Sequence, residues 1–77
     1  MKAYIPLVYI RTGVPTKFPV LLAHNLKGAV DEFLRQHPEH RLTVPLKGRE
    51  FFTNVTGNHA RVWKRRVVIM DVGLERK

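Results

Sequence analysis

Glu50-Phe51-Phe52-Thr53-Asn54-Val55-Thr56, followed by Gly57-Asn58-His59 and then by Ala60 to Met70, is the stretch on which the fold turns. Phe51, Thr53 and Val55 alternate with Phe52 and Asn54, the period of two that sends successive side chains to opposite faces of a strand. Thr56-Gly57-Asn58-His59 supplies turn chemistry, because glycine and asparagine accept positive φ at little cost. Ala60 onward reads as a returning strand, so the stretch predicts a hairpin and, with it, an antiparallel sheet.

The return arm from Arg61 to Val72 is long for one strand and predicts a bend. A period of two gathers Val62, Lys64, Arg66, Val68, Met70 and Val72 on one side. A bulge between Lys64 and Arg66 is expected to part the cationic half, Arg61-Val62-Trp63-Lys64-Arg65-Arg66, from the core-forming half, Val67-Val68-Ile69-Met70. Gly73 to Lys77 reads as a frayed end, giving a single small domain over 1–73 and a flexible basic tail over 74–77.

Upstream, Tyr4 to Ile10 is rich in branched and aromatic residues and predicts a strand, with Pro6 pointing to an edge or an irregular start because it has no N–H to donate. Thr12 to Pro15 marks a turn, and Phe18 to Ala23 predicts a second extended segment that pairs loosely with the first. Asn25 is a good helix cap, and Leu26, Val30, Phe33 or Leu34, and His37 recur at helical spacing until Pro38. Gly28 weakens that helix, so it needs a sheet to lie on. Arg41 to Leu46 predicts a further strand, with Leu42 and Val44 on one side, Arg41 and Thr43 on the other, and Pro45 ending it or placing it at an edge. Lys47-Gly48-Arg49 makes the turn into Glu50. The resulting order is β-β-α-β-β-β, an α+β fold with one helix packed on a small, mostly antiparallel sheet.

A chain of 77 residues forms one domain with a thin core. Apolar residues make up 44% of it, too many for a disordered segment. Without cysteine it has no disulfide staple and no thiolate metal site, so packing or self-association must hold it, and a homodimer is one expectation. No apolar stretch is long enough for a signal peptide or a membrane span, which points to a cytoplasmic protein without membrane contact.

Net charge is +8, and between Arg41 and Arg66 seven Lys or Arg residues face a single acidic residue, Glu50. That excess attracts polyanions before any specific contact forms. The leading expectation is a nucleic-acid-binding module whose cationic β-hairpin contacts the phosphate backbone, DNA or RNA, through Arg49, Arg61, Lys64, Arg65 and Arg66. Trp63 is the stacking group, Phe51 or Phe52 a further aromatic, and His59 a flanking polar contact. Taken alone, Trp63 reads rather as a core residue among solvated charges. The expectation depends on those cations converging on one accessible side. The alternative is a small protein-binding accessory or inhibitory factor that docks on an acidic partner surface.

Enzymatic chemistry finds little support. Serine does not occur, the glycines are isolated, and Asp31 and Glu32 are adjacent rather than paired across a site. His24, His37, His40 and His59 have no acidic or cysteine partner at zinc spacing, so neither a metal nor a cofactor is expected. A metal-independent ribonuclease using His59 with Arg61, and His24 or His40 as the acid, is the one catalytic option.

Overall fold

The hairpin expected at Glu50 forms the middle of the sheet. In the computed structural model, which describes residues 1–10, 13–57 and 61–74, β5 (Glu50–Thr56) and β6 (Val62–Leu74) run antiparallel, from Glu50 opposite Val68 to Thr56 opposite Val62. The other elements, in chain order, are β1 (Lys2–Tyr9), β2 (Thr16–Lys17), β3 (Leu21–Ala23), α1 (Leu26–Gln36) and β4 (His40–Lys47). The strands lie in the order β2-β1-β6-β5-β4, with β3 also on β1, and every pairing is antiparallel. One helix on one antiparallel sheet is the expected α+β fold.

Four details depart from the sequence expectations. Pro6 sits inside the sheet, not at an edge, opposite Ile69 and buried. It is tolerated there because its neighbour on that side is interrupted. The Pro6 carbonyl accepts from the Phe18 N–H at 2.9 Å, so the missing donor faces the gap where the returning arm leaves the strand. That arm is two short strands, since Phe18, Pro19 and Val20 stand opposite only Ile5 and Pro6, a one-residue bulge at a proline.

Leu42 and Val44 do not share a face either. Leu42 opposes Thr53 while Val44 opposes Phe52, and the extra residue between them, Thr43, makes a bulge whose hydroxyl donates to the Phe52 carbonyl at 3.2 Å. Lys64 to Arg66 pairs without any irregularity, and the bulge in β6 falls at Val72, opposite the step from Ala3 to Tyr4. Gly73 and Leu74 belong to β6, paired with Ala3 and Lys2; residues 75–77 of the expected tail, and Asn58 to Ala60 of the expected turn, lie outside the described residues.

Asn25 starts α1 as its side chain accepts from the Gly28 N–H at 2.8 Å, and His37 closes it by donating its N–H to the Phe33 carbonyl. The helix buries Ala29, Val30 and Phe33 against the sheet face built from Tyr4, Pro6 and Val8 of β1, Val67 and Ile69 of β6, and Phe51 and Thr53 of β5. Rings concentrate at one end of this core. Phe33 packs against Phe18, Phe51, His37 and His40 at centroid distances of 5.6, 5.7, 4.9 and 5.1 Å. The opposite face of the sheet carries no covering element among the described residues.

Candidate functional site

Strict alternation along β6 divides the cationic stretch between the two faces. Lys64 and Arg66, opposite Asn54 and Phe52, lie on the uncovered face. Trp63 and Arg65, opposite Val55 and Thr53, lie on the helix side. Trp63 is 42% exposed. Its ring covers Gly57 so closely that a Cβ there would overlap it, and the Arg65 guanidinium stands 5.6 Å from its centroid. These two residues line a hollow of about 390 Å³ with Ile10 and Lys64.

Two of the expected phosphate contacts are held by carboxylates. Arg66 donates from Nε to Glu50 at 2.8 Å, and Arg49 lies 3.1 Å from Asp71. Arg61 is exposed at the start of the return arm, its carbonyl accepting from the Gly57 N–H at 2.6 Å; His59 lies outside the described residues. The fold therefore does not gather Arg49, Arg61, Trp63, Lys64, Arg65 and Arg66 on one side of a hairpin.

It gathers a different set. On the uncovered face the register lines up Arg41 of β4, Asn54 of β5 and Lys64 of β6 as one cross-strand row. The adjacent row is Val44, Phe52, Arg66 and Tyr9, on β4, β5, β6 and β1. Arg66 lies over the Tyr9 ring at 4.9 Å while bonded to Glu50, so its plane is fixed between a ring and a carboxylate. Farther along, Leu7, Val68, Ile5 and Met70 make the same face apolar. Arg41 and Lys64 are both exposed, and neither has a carboxylate partner among the described residues. Lys27 and Arg35, by contrast, are answered on the helix by Asp31 and Glu32.

Beside this row, Thr43, Val44, Phe52, Asn54 and Lys64 line a hollow of about 350 Å³. The bulge residue Thr43 and its neighbour Val44, which opposes Phe52, form the β4 side of it. Asn54 Oδ1 is shielded from solvent and has no hydrogen-bond partner among the described residues. Sequence alternation placed Phe52 and Asn54 together. Arg41, Thr43, Val44 and Tyr9 were missed, since their place depends on a bulge and on strand order that local pattern does not encode.

His40, considered as a catalytic acid, is buried. Its Nδ1 and Thr53 Oγ1 form a hydrogen-bonded pair at 2.8 Å, with Phe18, Phe33 and His37 around the ring. A residue so placed cannot reach a substrate phosphate. His24 is exposed in the turn before α1. Among the described residues no group of three or more His, Asp or Glu side chains is placed to hold a metal ion, and no helix is long and apolar enough to cross a membrane.

Burial pushes the His40 pKa below the ordinary histidine value; Glu39 pulls it up, and His37 and Arg65 push it further down. The folded chain thus keeps His40 neutral where the unfolded chain takes up a proton, near pH 6.5. More protons bound when unfolded means stability is present above about pH 6.5 and is lost as pH falls below it towards the folded value. Urea unfolding at pH 7.5 and pH 5 is expected to show that loss, and His40→Gln is expected to flatten it. Equal slopes in the two proteins would place the effect elsewhere.

No protein-family model matches the chain, and neither a curated protein nor a solved structure matches it at a significant level.

Proposed function

We propose that this protein binds nucleic acid on the uncovered face of its sheet, with Arg41 and Lys64 as phosphate contacts and Phe52 as a ring surface beside them. One observation carries the proposal: the row Arg41–Asn54–Lys64 runs directly alongside the row Val44–Phe52–Arg66–Tyr9. Cations without carboxylates next to a flat apolar ring suit a ligand that alternates phosphate and base. The net charge of +8 draws such a ligand in from a distance.

The test is a salt series of binding to single-stranded DNA, single-stranded RNA, duplex DNA and heparin. The logarithm of affinity is expected to fall linearly with the logarithm of salt, by roughly 0.7 per phosphate contacted on a single strand. Two principal cations then give a slope of about −1.4. No nucleic-acid binding at low salt ends the proposal, and heparin binding as tight as the best nucleic acid reduces it to generic charge attraction.

A second reading has its own observation. Leu42 and Val44 are 44% and 47% exposed on β4, an edge strand of the sheet. An edge of that kind can extend a partner's sheet by main-chain hydrogen bonds. A stoichiometric protein partner retained after nuclease treatment favours this reading, an accessory factor docking on an acidic surface.

A further inference from the structure

Resting on the reading just given, we infer that the hollow of about 350 Å³ lined by Thr43, Val44, Phe52, Asn54 and Lys64 seats one unpaired nucleotide, its base on Phe52, its edge at Asn54 and its phosphate at Lys64. The ligand class is single-stranded nucleic acid.

The chemistry of the lining selects that class. Phe52 and Val44 offer a flat ring and a methyl wall, which call for an apolar plane. Asn54 Oδ1 has no partner among the described residues and calls for a hydrogen-bond donor. Lys64, with Arg41 in the same cross-strand row, calls for an anion. An acidic peptide brings the anion and neutral N–H donors, but it carries no flat face beside each charge. A nucleotide unites all three demands, because every base has a flat face and at least one neutral N–H beside a phosphate. A duplex hides base faces in its stack, so the ring would meet nothing flat there.

Local geometry supplies the rest. Thr43, the bulge residue, has already spent its hydroxyl proton on the Phe52 carbonyl, so its oxygen is left to accept from a base edge. The terminal torsion of an asparagine amide is soft, so seating a base edge at Asn54 entails turning Oδ1 from its shielded position towards the hollow. The volume lies at the low end of the range for small-ligand sites, roughly 300–1,000 Å³, as a single nucleoside requires.

The experiment uses the whole chain and fluorescence anisotropy with three short labelled probes of equal charge: a base-bearing single strand, a single strand with abasic sugars, and the single strand with a scrambled base order. The wild-type protein is expected to bind the abasic strand about tenfold more weakly than the base-bearing one, within the roughly 5- to 150-fold range of one lost base–aromatic stack. The scrambled strand is expected to bind like its parent, because one seat accepts any base face. Phe52→Leu is expected to remove the advantage of the base-bearing strand and Asn54→Leu to reduce it, with urea midpoints confirming that both variants fold. Equal affinity of wild-type protein for abasic and base-bearing strands overturns the inference while leaving the phosphate-binding proposal standing. Failure to bind any strand at low salt overturns both. Tighter binding of poly-glutamate than of the base-bearing strand overturns the inference in favour of an acidic protein partner.

Discussion

Replacing Phe33 by alanine is expected to lower stability by about 3–5 kcal/mol, the usual cost of deleting a buried phenylalanine side chain. Phe33 is fully buried and is the only ring α1 sends into the sheet, touching Phe18, Phe51, His37 and His40. A domain of 77 residues has a total stability of roughly 4–12 kcal/mol at the usual value per residue. The substitution thus removes a large fraction of what holds the chain together. Little compensates locally, because the helix has Gly28 in its first turn and depends on the sheet for its existence. Urea unfolding followed by circular dichroism measures the effect, and Leu34→Ala, at a half-buried position on the same helix, is expected to cost clearly less. A Phe33→Ala loss below about 1 kcal/mol would mean that the aromatic cluster closes over the space.

Reversing Lys64 to glutamate is expected to weaken single-strand binding at least tenfold, since a charge-assisted hydrogen bond of roughly 1.5–3 kcal/mol is replaced by repulsion. The salt slope is expected to drop by about 0.7 with the lost phosphate contact. Arg65→Glu is the informative comparison. Arg65 is the next residue on the same strand with the same charge, but its partner is Thr53 on the helix side. Overall charge changes equally in both variants, so a difference between them reports which face the ligand occupies. Equal losses would return the binding surface to the hairpin as a whole, where Trp63 and Arg65 lie together.

The class of fold was legible in the sequence because three local signals agreed. Alternation from Phe51 to Val55, the Asn25 cap with helical spacing up to Pro38, and the turn residues at Gly48 and Gly57 each act within a few residues. Gly48 takes the positive φ of +67° that its turn requires. Pro6 was misjudged because its tolerance comes from a gap in a neighbouring strand more than ten residues away. The candidate site failed to be legible for a related reason. The residues Arg61 to Arg66 are adjacent in sequence, and adjacency in a strand separates side chains rather than uniting them. Arg41, Asn54 and Lys64 meet only through the register of three strands, and the two carboxylates that engage Arg49 and Arg66 come from other positions on those strands.

Strand β1 finds its partner β6 across most of the chain, as when Leu7 meets Val68. Closing such a distance costs loop entropy before any contact rewards it, so assembly is expected to run at the slow end for a domain of this size. On the ribosome, Tyr4, Pro6 and Val8 must wait for Val67 and Ile69 to emerge. The helix and the β4–β5 pair can gather first, leaving the earliest-made strand as the last to be enclosed and the one a chaperone would meet.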